Sequence, residues 1–209
     1  KTFLTATLSA AFDEQHANHD FLIRSLDTVN NNGTQEIQVR VDSLYALMGY
    51  QFKTTRGSAY IGLNHKINKQ HLLKAGINVD GLYFNMTDSV KNEDHTAFIN
   101  RWDYQGLSFL IQPFVQWKYR VSERMDVTAG VHSQYFSLSN SLSPAEPRLG
   151  WKYSLKNGQR LFAGAGLHSQ TQPYYTYTYH QFDANGNKMY HNKNMDFSKS
   201  IHAALGYEK

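Results

Sequence analysis

Hydrophobic and polar residues alternate along most of this chain with a period of two, the signature of strands with one apolar face. Eight runs carry it. Leu4, Ala6, Leu8, Ala10 and Phe12 form the first. Ala59, Ile61, Leu63 and Ile67 form the second, and Leu73, Ala75, Ile77 and Val79 the third. The fourth is the clearest: Phe109, Ile111, Val115, Trp117 and Tyr119 alternate with Gln112, Gln116, Lys118 and Arg120. Val127, Ala129, Val131 and Tyr135 follow, then Leu149, Trp151, Tyr153 and Leu155. Leu161, Ala163, Ala165 and Leu167 make the seventh run, and Ile201, Ala203, Leu205 and Tyr207 the eighth. No helical period competes over a comparable length. Residues 42–52 fit either a strand extension or a loop.

The connections carry a second pattern. Asn68-Lys69-Gln70, Ser122-Glu123-Arg124 and Asn157-Gly158-Gln159 read as tight turns. The others are longer, roughly 13–57, 87–106, 139–146 and 173–198. Short and long therefore alternate, as in a membrane barrel with short periplasmic turns and long extracellular loops. The predicted fold is all-β: an antiparallel up-and-down transmembrane β-barrel segment of about eight strands, with residues 1–209 as one partial barrel domain.

Alternation alone does not say which face meets water. A soluble barrel or sandwich would bury the apolar face, whereas a membrane barrel turns it to lipid. Several runs reach the ~9–11 residues that cross a bilayer. Trp117, Tyr119, Trp151, Tyr153 and Tyr207 sit on apolar faces near the short turns, where an aromatic girdle belongs. The opposite face is rich in Gly, Gln, Asn and His. It carries Lys66, Lys74, Lys118, Arg120, Arg148, Lys152, Lys156 and Arg160, against Asp80, Asp126 and Glu208. A narrow eight-strand barrel would pack such an excess poorly. A segment of a wider barrel with a hydrated or plugged lumen accepts it.

Composition narrows the classes. The net charge is +4, from 21 Lys+Arg and 17 Asp+Glu. With no basic run, it does not argue for nucleic acid. Cysteine is absent, which excludes disulfides, a thiolate zinc site and a cysteine nucleophile. No apolar run is long enough for a transmembrane helix, and no signal peptide stands at Lys1.

Candidate chemistry is sparse. His16 and His19 are expected in a loop with no third metal ligand. Asp183-Ala-Asn185-Gly186-Asn187 begins like a calcium loop but has Lys188 and Asn194 where Gly and Glu are needed, so a turn is expected. Gly130-Val-His132-Ser133-Gln134 and Gly166-Leu-His168-Ser169-Gln170 repeat one pattern. Adjacent Ser and His on a strand face opposite ways, so neither makes a hydrolytic pair, and both His are expected on the inner face. Gly164-Ala-Gly166 is not followed by a helix and is no dinucleotide loop. Asn32-Gly-Thr34 and Asn85-Met-Thr87 match a glycosylation pattern that matters only in a eukaryotic secreted chain. Tyr174, Tyr175, Tyr177 and Tyr179 open a long loop and fit either ligand contact or a strand extension. No catalytic, cofactor or metal residue is assigned.

The second half resembles a known family. Gln116-Trp-Lys-Tyr119 closes one strand and Gly130-Val-His-Ser-Gln-Tyr-Phe136 rises on the next. Pro144-Ala-Glu-Pro-Arg-Leu-Gly150, Gly166-Leu-His-Ser-Gln-Thr-Gln-Pro173, Asn192-Lys-Asn-Met-Asp-Phe197 and Lys199-Ser-Ile-His202 follow, leading to Leu205-Gly-Tyr207. In order and spacing this is similar to the barrel of TonB-dependent outer-membrane receptors, of the type with an N-terminal carboxypeptidase-regulatory-like domain. Leu73-Lys-Ala-Gly-Ile-Asn-Val79 is the best stretch of the first half. The resemblance implies a middle slice of a 22-stranded barrel in the outer membrane of a Gram-negative bacterium, with the plug absent. It implies energised uptake of a bulky nutrient, such as an iron chelate, cobalamin or an oligosaccharide. The partners it implies are outer-membrane lipid, the plug and, through missing parts, TonB. The alternatives are a complete small outer-membrane barrel, an outer-membrane hydrolase needing a Ser–His contact across strands, and a soluble ligand-binding barrel.

Overall fold

A computed structural model describes residues 1–31 and 33–209. Thirteen strands and one short helix form among them: β1 (Thr2–Asn31), β2 (Thr34–Lys66), β3 (His71–Lys91), β4 (Phe98–Ile99), β5 (Asp103–Arg120), β6 (Met125–His132), β7 (Tyr135–Phe136), β8 (Ser141–Leu142), β9 (Glu146–Ser154), β10 (Arg160–Gln170), α1 (Tyr174–Thr178), β11 (Gln181–Phe182), β12 (Lys188–Met189) and β13 (Ser198–Glu208). The main sheet runs β1-β2-β3-β5-β6-β9-β10-β13, each strand antiparallel to its sequence neighbour on that path. Each of the eight alternating runs falls on one of these path strands, save that Tyr135 lies in β7 and Ile67 and Leu155 lie just past β2 and β9. The count exceeds the expected eight because β4, β7, β8, β11 and β12 are short strands inside the loops, where no period could announce them.

The sheet is open. Among the described residues no ladder joins β1 to β13, so the strands do not close into a barrel. The three tight turns form as expected. Asn68 Oδ1 accepts the Gln70 and His71 N–H groups at 2.8 and 2.9 Å. Ser122 Oγ accepts the Arg124 N–H. Asn157 and Gly158 both have positive φ, 61° and 77°, the requirement of a type I′ hairpin turn.

The expected long loop over 13–57 does not exist. β1 continues to Asn31 and β2 begins at Thr34, in register except for shifts between His19/Asp20 and Ile23/Arg24. Beyond Phe12 this ladder is mostly exposed on both faces, and apolar residues such as Phe21, Leu22 and Ile23 fall on both of them while the backbone pairing persists. Residues 42–52 are accordingly strand.

The register aligns the apolar positions into rows. One runs Leu4–Leu63–Ala75–Val115–Val131–Pro147 across six strands. Another, nearer the tight turns, runs His71–Tyr119–Val127–Trp151–Ala163–Leu205. This face is uncovered: Leu8 is 84%, Leu149 62% and Leu205 82% exposed. On its turn edge Trp117 stacks with Tyr119, and Trp151 with Tyr153, at centroid distances of 5.5 and 6.0 Å.

The opposite face is covered by the loops. Leu82, Phe84 and Met86 of β3 and Leu110 of β5 meet Phe136, Leu138, Tyr177 and Phe197 there, all buried. Each fully buried apolar side chain contributes about 1.5–3 kcal/mol. The continuous run Leu82-Tyr83-Phe84 reflects this, since Tyr83 points to the open face and its two neighbours into the loop core.

Candidate functional site

The loop-covered face is where side chains of different elements converge, and Asp88 anchors its upper end. Its carboxylate, 4% exposed, accepts the Arg101 and Trp102 N–H groups at 2.6 and 2.9 Å and the Arg101 Nε–H at 2.7 Å. Trp102 Nε1 then donates to the Tyr175 carbonyl at 2.7 Å, tying α1 to the loop after β3. Pro173 stands at the N-cap, with extended backbone, immediately before α1. The Tyr run is thus a helix and its flank, not a strand extension. Tyr177 is buried against Phe136 at 5.3 Å, while Tyr175 stays 42% exposed and stacks on Phe52 at 5.8 Å. Burial raises the Tyr174 and Tyr177 phenols above their ordinary range, and the Tyr177 hydroxyl oxygen accepts the Gln172 N–H at 3.0 Å.

Between α1 and the first three strands lies a cavity of about 510 Å³, lined among others by Asp13, Phe52, Arg56, Met86, Tyr174 and Tyr175. Ring faces and a thioether make its walls, and a carboxylate and a guanidinium line it with them. Such a mix of apolar surface and a few polar groups is what small-molecule sites present.

Further along the same face Glu146 is the buried centre of a polar network. It is 1% exposed. His132 Nδ1 lies 2.9 Å from its Oε2, Arg148 donates to Oε2 at 3.3 Å and Gln134 Nε2 to Oε1 at 3.2 Å. The Gln134 amide also donates to the Ser169 carbonyl. The two Gly-Xaa-His-Ser-Gln repeats are therefore joined through the Gln134 amide, which bridges Glu146 and the Ser169 carbonyl. Glu146 sits in β9 rather than in the expected loop 139–146.

The inner-face charge is better paired than the sequence suggests. Lys118 and Arg120 share Asp126 at 3.1 and 3.6 Å, and Arg160 meets Glu208 at 3.5 Å. Sequence reasoning missed Asp88 and Glu146, which it had left to loops. It also missed Ser200, whose Oγ lies 2.8 Å from His202 Nε2. The Ser-Xaa-His spacing was the available signal, since residues two apart on a strand share a face. Ser133 instead donates to the Ser143 carbonyl, and His168 packs edge-on to His202 at 4.8 Å.

Other expectations resolve simply. His16 and His19 lie on β1, three residues apart and so on opposite faces, which prevents a shared metal. Residues 183–187 form a turn: Asp183 Oδ1 accepts the Asn185 and Asn187 N–H groups, each at 2.8 Å, and Gly186 takes φ 80°. Asn85 is exposed on β3, and Asn32 lies outside the described residues. No family model, curated protein or solved structure matches the chain.

Proposed function

We propose that the chain is a membrane-spanning part of an outer-membrane transporter of the TonB-dependent type, supplying wall and outer loops for energised uptake of a bulky nutrient. The observation that carries the membrane part is the uncovered apolar face, continuous across the path strands. Soluble proteins seldom leave so wide an apolar surface unpartnered. Its height also suits a bilayer. On β3 it runs from Leu73 to Tyr83, roughly 35 Å along the strand and roughly 25 Å along the membrane normal at a barrel strand's usual tilt. On β1 it ends at Phe12, after which Glu14 pairs with Lys53 at 3.4 Å and accepts from Gln51. An aromatic edge toward the tight turns is the girdle expected at one interface.

The transport part rests on the sequence resemblance and on the loop-capped cavity, which faces away from the apolar surface. On this reading the chain has no catalytic role, lipid surrounds it, and a plug and TonB act through segments beyond it.

Single-tryptophan variants test the membrane part. Brominated lipids should quench Trp117 and Trp151 but not Trp102, which lies in the loop cap. Equal quenching of all three, or a monomer that folds cooperatively without detergent, overturns it. Transport is tested by deleting the gene and growing cells on limiting iron chelates, cobalamin or oligosaccharides. Growth that falls on one of these and returns with the gene supports uptake. Unchanged growth on all removes it.

A further inference from the structure

The part of the sheet built by β6, β9, β10 and β13 places its loop-side residues in two adjacent rows. Continuing the strand registers, His132, Glu146, His168 and Ser200 form one row. Gly130, Arg148, Gly166 and His202 form the next. Arg148 thus stands between two glycines. At Gly166 an added Cβ would lie 3.0 Å from Arg148 Cγ and 3.2 Å from the Pro147 carbonyl, so the missing side chain makes room for the arginine stem to lie across β10. There Arg148, Gly164, Gly166, His168 and His202 line a cavity of about 270 Å³.

Donors outnumber acceptors at this cavity. Glu146 is engaged by His132, Gln134 and Arg148 and is itself buried. Among the described residues that single contact at 3.3 Å is the only side-chain hydrogen bond of Arg148, although a guanidinium has five donors in a fixed fork. His168 makes no side-chain hydrogen bond among the described residues, and His202 uses one ring nitrogen on Ser200.

We propose that this cavity binds a small oxyanion, a carboxylate or a phosphate, with Arg148 as the charged fork and His202 and His168 as flanking imidazole donors. Arginine pairs such oxygens through two parallel N–H bonds, which adds direction to attraction. Ser200 holds the His202 ring through Nε2, leaving Nδ1 for the ligand. The site is separate from the cavity beside α1 and does not depend on the transport reading.

The test is calorimetric titration of the whole protein, purified in detergent as the cell makes it, with inorganic phosphate and separately with citrate. Saturable binding of either anion is expected. Arg148→Gln should weaken it at least tenfold, and His202→Asn roughly threefold to tenfold. His202→Asn lies away from Glu146, so it reports on the site even where Arg148→Gln disturbs the carboxylate network. Phosphate binding alone would assign a tetrahedral anion, and citrate binding alone a carboxylate ligand. Absence of saturable binding for both, or binding that survives both substitutions, overturns the proposal.

Discussion

Replacing Phe84 with Ala should release the loop cap while leaving the sheet intact. The Phe84 ring is fully buried and lies 5.1 Å from Tyr174, which in turn packs 5.8 Å from Phe136. Removing a core Phe costs about 3–5 kcal/mol in the sites where it has been measured. The ladder of β3 does not depend on that ring, because β2 and β5 pair it along almost its whole length. The cost should therefore fall on the contact between β3 and residues 173–197. At about 1.4 kcal/mol per factor of ten, the open loop becomes roughly a hundredfold to a few thousandfold more populated. Trypsin reads this directly, since Lys188 and Lys193 lie in the loop. Cleavage there should accelerate by a similar factor if opening is fast compared with cutting, while amide protection of β3 stays unchanged. Unaltered cleavage would show that the buried ring does not hold the loop. Parallel loss of protection in β3 and the loop would show that the two unfold as one unit, against the reasoning.

Other outcomes follow from the same geometry. Glu146→Ala removes the common acceptor of His132, Gln134 and Arg148, and should destabilise the β6–β9 region by about 1–3 kcal/mol, seen as a lower temperature of heat-modified migration in detergent gels. His180 is 1% exposed, and neither ring nitrogen has a partner among the described residues. Burial and then Lys188 hold its pKa below the ordinary histidine value, while Asp103 and Asp88 oppose this. A depressed folded-state pKa means the contribution is fully present above about pH 6.5 and lost as pH falls through the lower value. Hydrogen-exchange protection of residues 179–191, taken relative to the intrinsic rate at each pH, should therefore fall on acidification, and His180→Phe should flatten that fall. At Gly76 an added Cβ would lie 2.8 Å from both the Ile61 carbonyl and the Phe114 ring. Gly76→Val should destabilise the chain by about 1–3 kcal/mol in denaturant titration, and adding Phe114→Ala should restore only part, because the carbonyl contact remains.

The path strands were legible because a strand with one apolar face writes its period into the sequence. The tight turns were legible for the same local reason: Asn157-Gly158 can take two positive φ values, and Asn68 can cap its own turn. Where the face lost its apolar partner the signal failed. Beyond Phe12 the β1–β2 ladder is exposed on both faces; Ile37, Val39 and Val41 keep the period, but Phe21-Leu22-Ile23 puts apolar side chains on both faces and breaks it, so the stretch reads as loop. The candidate site was less legible still. Asp88 and Glu146 looked like loop acids because nothing local distinguishes a solvated carboxylate from one that three donors surround.

The period of two, the residue types on each face and the turn chemistry are local properties, and they determined an all-β antiparallel sheet with one apolar side. Tertiary structure decided everything that depends on distant residues meeting. It set the register that turns separate apolar positions into rows, and the folding of residues 173–197 over β3. It also joined two Gly-Xaa-His-Ser-Gln repeats through Gln134 beside Glu146 and left Arg148 with donors facing a cavity. Those contacts link positions tens of residues apart, and their energies depend on mutual burial, which no single stretch of sequence contains.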